Sequence, residues 1–170
     1  VMKSIIIRSL MLIAIMYSVN SCSPDSADST DVSSTTASSS LVKYSYSATE
    51  LETMQLINTY RVSIGLNALE KNDYVSYKCE AHDTYMITNN VVSHDDFVAR
   101  SEDIMKKVGA KTVAENIAYN FATPQAALNA WLNSPGHKEN IEGDFTHFGI
   151  AVRENPTTGK KYYTNIFIKM

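Results

Sequence analysis

The polar and apolar positions of the chain change rhythm several times, and each change marks an element. Leu10–Val19 is an apolar run interrupted by Ser18 alone. Ser23–Ser40 then carries almost no apolar residue and no period. From residue 47 a helical period begins. Ser47 and Glu50 have capping-box spacing, Leu51, Met54, Ile57, Tyr60 and Ile64 recur every three or four residues, and Gly65 supplies a stop. A second helix is predicted from about Asn72 to Asn89, with Tyr74, Tyr77, Ala81, Tyr85 and Cys79 on or beside its buried stripe. A third spans about Asp96 to Val108, because Phe97, Ser101, Ile104, Met105 and Val108 share a face and Gly109 can take the left-handed closing position. Thr123-Pro124 provides the cap and first residue of a fourth helix, which runs through Ala127 and Trp131 until Pro135-Gly136 ends it.

After a loop the period shortens to two. Phe148, Ile150 and Val152 alternate, Asn155-Pro156-Thr157-Thr158-Gly159 reads as a turn, and Tyr162, Thr164, Ile166 and Ile168 alternate again. This is a C-terminal β-hairpin. With a short strand near Val113–Ile117 it forms a sheet that the helices must cover, so the expected class is α+β.

The N-terminal run reads differently from the rest. Lys3 and Arg8 precede it and small polar residues follow, which is the grammar of a signal peptide over residues 1–21. Its length is about half of the ~20 residues a membrane-crossing helix needs. It ends at Val19-Asn20-Ser21-Cys22, which resembles a lipobox, the cleavage site before a cysteine that then carries acyl chains; Asn20 departs from the usual small residue. Residues 22–46, rich in Ser, Thr and Asp, would then be a flexible tether between a lipidated Cys22 and a folded domain over residues 47–170. The competing reading pairs Cys22 with Cys79 in a disulfide, a bridge that would close no useful loop. The expected location is the bacterial cell envelope, with the domain held at a membrane and facing the periplasm or the exterior.

Composition narrows the partners. The chain is 44% hydrophobic and 19% charged, ordinary for a globular protein, and its formal net charge is −3. Loss of residues 1–21 removes Lys3 and Arg8, leaving 13 basic against 18 acidic side chains, a net of −5. The cations are scattered, so no footprint for nucleic acid appears.

Three segments carry the candidate chemistry: Val92-Ser93-His94, Ala114-Glu115-Asn116-Ile117-Ala118, and Ala130-Trp131-Leu132-Asn133-Ser134-Pro135-Gly136-His137. Together with Leu56-Ile57-Asn58-Thr59-Tyr60-Arg61, Gly65-Leu66-Asn67-Ala68-Leu69, Ala81-His82-Asp83-Thr84-Tyr85-Met86, Phe145–Ala151 and Tyr163-Thr164-Asn165, they follow the order seen in bacterial CAP, or SCP-like, domains. The chain resembles that superfamily over about Leu51 to Phe167. The resemblance implies a three-layer α-β-α sandwich with a cleft floored by the central sheet. It also implies a cleft set of two histidines and two acidic residues, which in some members binds a divalent cation. His94, Glu115 and His137 match three of these positions, and Ser134 stands where the second acidic residue is expected.

A zinc or other divalent ion on His94 and His137 is one reading of these residues, since imidazole and carboxylate suit zinc and an open position would hold water. The other is structural: His94 and Glu115 form a buried hydrogen-bonded pair that stitches loop to sheet, and His137 caps a short helix. His82 is expected to support the core, His147 to face solvent at a strand start, and Trp131 to pack inside. Two functions remain open. One is a binding module whose cleft of His94, Glu115, Ser134 and His137 takes a lipid, glycan or protein. The other is a metal-dependent hydrolase with Glu115 as general base. Neither HExxH nor GxSxG occurs in the chain.

Overall fold

The Ser47 side chain accepts the Glu50 N–H while the Glu50 carboxylate accepts the Ser47 N–H at 2.7 Å, and this reciprocal cap opens helix α1 (Ala48–Ser63). The computed structural model describes residues 42–170. The signal peptide, Cys22 and most of the tether expected from the sequence lie outside the described residues. Strand β1 (Glu70–Lys71) is followed by α2 (Asp73–Asn89), α3 (Phe97–Val108) and β2 (Thr112–Tyr119). The helices α4 (Pro124–Leu132) and α5 (Pro135–Glu142) precede β3 (His147–Glu154) and β4 (Lys161–Lys169). Among the described residues no helix is long and apolar enough to cross a membrane.

The strands form one sheet in the order β1-β3-β4-β2, parallel between β1 and β3 and antiparallel elsewhere. The hairpin of β3 and β4 is the expected one. The expected short strand is the full-length β2, paired with β4 from Thr112↔Lys169 to Tyr119↔Tyr162. β4 is therefore central and covered on both faces, which is why seven successive residues from Tyr162 to Ile168 are buried.

Alternation along the strands divides the core into two. Phe148, Ile150, Tyr163 and Phe167 pack with Met54, Ile57, Leu128, Trp131 and Ile141 of α1, α4 and α5. Ala151, Ile166 and Ile168 pack on the opposite face with Val75 and Cys79 of α2 and Ile104 of α3. The result is an α+β, three-layer α-β-α sandwich. At Gly149 the N-terminal turn of α2 lies so close to β3 that an added Cβ would overlap the backbone at Val75 and Ser76.

Three local expectations are corrected. Pro135 does not lead into a loop: with Ser134 as cap it occupies the first position of a new helix, α5, where its missing N–H costs nothing. The stripe of α2 is rotated, with Tyr77, Ala81 and Tyr85 toward solvent and Val75, Ser76, Cys79, His82, Asp83 and Met86 buried. Polar groups occupy that buried face because each has a partner there: Ser76 Oγ accepts the Ile150 N–H at 3.1 Å, and Thr164 donates to Asp83 Oδ1 at 2.6 Å. The folded part also begins before Ser47. Tyr44 Oη donates to Glu50, Arg153 donates to both Tyr44 Oη and Glu50, and Tyr46 Oη meets Ser76 Oγ at 2.9 Å.

Candidate functional site

The site forms along β2, the edge of the sheet, because β2 presents alternate residues to the two helical layers. Glu115 and Ile117 face α2 and α3, while Asn116 faces α5. The connection from α2 to α3 brings in His94. It leaves α2 through Asn90, in the left-handed region at φ 53°, and enters α3 through Asp96 at φ 57°. His82 fixes this connection from below. It is 3% exposed and its Nε2–H donates to the Ser93 carbonyl at 2.8 Å, the supporting role expected of it.

Glu115 is the centre of the arrangement. Its side chain is only 1% exposed, and three donors hold it. Arg100 Nε and Nη2 donate to Oε2 and Oε1 at 2.8 and 2.9 Å, a forked pairing, and His94 Nδ1 donates to Oε1 at 2.9 Å. At that exposure the carboxylate is shut off from open solvent. His94 itself stays open, its side chain 54% exposed, with Nε2 free of any bond among the described residues.

His137 comes from the opposite layer, in the first turn of α5. Its carbonyl accepts from Asn116 Nδ2 at 2.9 Å, and Asn140 Nδ2 donates to Asn116 Oδ1 at 2.8 Å, so α5 is clamped to β2 by two asparagines. Partial burial, and next the neighbouring His94, hold the His137 imidazole below the usual histidine pKa. The two rings face one cavity of about 170 Å³ lined by Val92, Ser93, His94, Ile117 and His137. Ser134 is the cap of α5, makes no capping bond with its side chain, and is not among the lining residues.

The donor set bears directly on a metal. His94 donates Nδ1–H to a carboxylate and presents Nε2 outward, the posture of a metal-ligating histidine with an outer-shell acid. Glu115, however, is spent as that outer-shell acid. Among the described residues no three His, Cys, Asp or Glu side chains converge as ligands. Two imidazoles fall short of the three protein ligands of a catalytic zinc. The residues do not fit a tightly held ion.

Arg100 was absent from the sequence expectations, although a signal existed: it lies three residues after Phe97 and four before Ile104, so a cation sits on an apolar stripe and needs a buried partner. Trp131 is buried as expected, and its Nε1–H donates to the Ile117 carbonyl at 2.9 Å. His147 opens β3 half-buried, beside Thr146 and Glu70. Cys79 is free among the described residues and fully buried, and that burial raises its thiol pKa well above the ordinary value.

This geometry has relatives. A sequence profile of the cysteine-rich secretory protein family (CAP) matches residues 54–167. The chain is 35% identical over 127 residues to the uncharacterized membrane protein YlbC of Bacillus subtilis, covering 71% of this chain and 34% of that protein. It is 36% identical over 115 residues to the uncharacterized protein YkwD of the same organism, covering 65% and 45%. It thus spans less than half the length of either. An extracellular protein containing an SCP domain from Bacillus anthracis superimposes with a TM-score of 0.64 at 30% identity, over 72% of this chain and 40% of that one. An outer surface protein of Borrelia burgdorferi shares the fold, with a TM-score of 0.61 at 24% identity over 68% of this chain and 88% of that one.

Proposed function

The chain belongs to the cysteine-rich secretory protein (CAP) family, and from that premise we propose that it is a binding domain whose cleft at His94 and His137 takes the polar end of a glycan or peptide. The observation that carries this reading is the burial of Glu115 under its donors Arg100 and His94. A hydrolase in this cleft needs a carboxylate or hydroxide free to move a proton, and both Glu115 oxygens are already committed to Arg100 and His94. What the cleft offers instead is two imidazoles, able to donate or accept, beside the apolar side chains of Val92 and Ile117.

Size favours the polar ligands over a lipid. The cavity of about 170 Å³ is smaller than the ~300 Å³ at which pockets for small organic molecules begin, and it suits a hydroxyl cluster or a peptide end better than an acyl chain. Display on a membrane through acylated Cys22 belongs to the same reading. Its support is the apolar run ending at a lipobox-like sequence and the extracellular and outer-surface nature of the named structural neighbours.

The test is a binding screen of the purified chain on glycan arrays, peptide arrays and lipid vesicles, repeated with His94→Ala and His137→Ala. Glycan or peptide binding should weaken about ten-fold or more in each variant, the scale on which a lost charged or polar contact acts. Unchanged binding in both variants, binding confined to vesicles, or Glu115-dependent turnover of the bound molecule would overturn the proposal.

A further inference from the structure

Arg100 also lines a second cavity, of about 430 Å³, more than twice the volume of the cleft between the imidazoles. Ala81, His82 and Tyr85 of α2 form one wall, Ala99 of α3 another, and Asp95 and Asp96 of the connecting turn complete it. Its lining is unbalanced in charge. Lys78 and Asp103, both on the rim, neutralise each other at 2.6 Å, and the Arg100 cation is spent on Glu115. Asp95 and Asp96 have no cationic partner among the described residues. The Asp95 carboxylate accepts the Tyr85 hydroxyl at 2.8 Å, and hydrogen bonding from Ser93 first and Tyr85 second holds its pKa below the ordinary value. The Asp96 side chain makes no capping bond to α3.

A third acceptor lies in the same wall. His82 must donate from Nε2 to reach the Ser93 carbonyl, so in the neutral ring Nδ1 keeps a bare lone pair, and Nδ1 has no bond among the described residues. Burial first, and the Arg100 charge second, hold this ring below the usual histidine pKa and keep it neutral. The ring lies 5.8 Å from that of Tyr85 and nearly parallel to it, with an interplanar angle of 11°. The cavity thus combines two carboxylates without a cationic partner, an imidazole acceptor, an aromatic face and two alanine methyls.

We infer that this cavity binds a primary ammonium group on a short aliphatic stem, of the kind a lysine side chain carries. The ammonium supplies donors to the Asp95 and Asp96 carboxylates, which lack a cation, and to the bare Nδ1 of His82, and the ring of Tyr85 offers a face to the cation. The stem lies against Ala81 and Ala99. A carboxylate ligand would meet two carboxylates, and a neutral one would leave them unpaired. The inference stands apart from the ligand proposed for the imidazole cleft.

Nuclear magnetic resonance titration of the isotope-labelled chain tests it, with Nα-acetyl-lysine amide as probe and its uncharged counterpart Nα-acetyl-norleucine amide as control. Saturable shifts should appear at the amides of Ala81, Tyr85 and Ala99. The norleucine probe should bind about ten-fold more weakly or worse, the scale of one charge-assisted contact. The double variant Asp95→Asn/Asp96→Asn should lose the lysine preference. Asparagine tolerates the left-handed backbone at residue 96 and still accepts the Tyr85 hydroxyl, so the fold is kept. Equal binding of the two probes, shifts centred on His94 and His137, no saturable shift, or a folded double variant that keeps the preference would overturn the inference. If the double variant fails to fold, the comparison of the two probes on the native chain decides.

Discussion

Arg100 closes on Glu115 through two parallel hydrogen bonds, at 2.8 Å to Oε2 and 2.9 Å to Oε1, across fifteen residues of sequence and from a helix to an edge strand. The pair ties three things together. It fixes α3 to the sheet, it leaves Glu115 Oε1 in place to orient His94, and through Arg100 Nη1, which donates to the Asp95 carbonyl at 3.1 Å, it steadies the turn on which His94 sits.

Removing one member of such a pair should cost more than removing both. Arg100→Met strands a carboxylate that is 1% exposed, a loss of about 3–5 kcal/mol in unfolding free energy. Arg100→Met combined with Glu115→Leu should recover most of that loss, since two apolar side chains replace the buried charges. Urea denaturation of the native chain, the single variant and the double variant measures the difference; a single variant as stable as the native chain would show that the pair holds nothing.

Asp83 predicts an unusual pH dependence. Burial drives its pKa well above the ordinary aspartate value, Thr164 donates to Oδ1, and Oδ2 is buried with no partner. The folded chain therefore keeps a proton on Asp83 that the unfolded chain releases above pH ~4. Where the native state binds more protons, stability falls as pH rises, by at most ~1.4 kcal/mol per pH unit for one group. Asp83→Asn keeps the acceptor for Thr164 and has no proton to lose. Its melting temperature should exceed that of the native chain at pH 7 and converge with it toward pH 4. Identical pH profiles for the two proteins would rule the effect out.

The elements were largely legible in the sequence because their ends carry local chemistry: the Ser47/Glu50 box, Gly109 at φ 77° after α3, and Thr123-Pro124 before α4. The orientation of α2 was not legible. Its buried face includes Ser76, His82 and Asp83, whose partners lie on β3, on the turn at Ser93 and on β4, and no periodicity in α2 records them. Pro135 misled for a different reason, since the same residue that ends one helix can begin the next. At the site, the pairing of His94 with Glu115 was one of the two readings the sequence allowed. The third partner, Arg100, was legible only as a cation on the apolar stripe of α3, which calls for a buried partner without naming it. The occupied state of Glu115, which decides what the cleft can do, depends on all three.

Gly149 should not accept a side chain. A Cβ there would overlap the backbone of Val75 and Ser76, and neither can retreat, because Ser76 Oγ holds the Ile150 N–H and Val75 is fully buried. Gly149→Ala should lower the unfolding free energy by about 2–3 kcal/mol, at the upper end of overpacking costs because backbone must shift. Chemical denaturation checks it, with Gly136→Ala as control, where a Cβ meets nothing within 4 Å. Equal stability of the two variants would mean that α2 and β3 are farther apart than described.

The last prediction separates a metal ligand from a residue that orients one. If His94 and His137 supply the only nitrogen ligands, zinc should bind weakly and one ion per chain, and His94→Ala or His137→Ala should each abolish the heat of binding. Glu115 should behave differently. As the acid that holds His94 by Nδ1, its replacement in Glu115→Gln should weaken zinc binding by about 10–100-fold, the range for outer-shell partners, without changing the number of ions bound. A Ser134→Glu chain tests the remaining position, because a carboxylate at the cap of α5 would add a ligand if it turns toward His137 and would tighten binding. Isothermal calorimetry of the five proteins, each first checked for native circular dichroism, gives the answer. Zinc affinity that survives in both histidine variants would place the metal elsewhere, and complete loss in Glu115→Gln would make Glu115 a ligand after all.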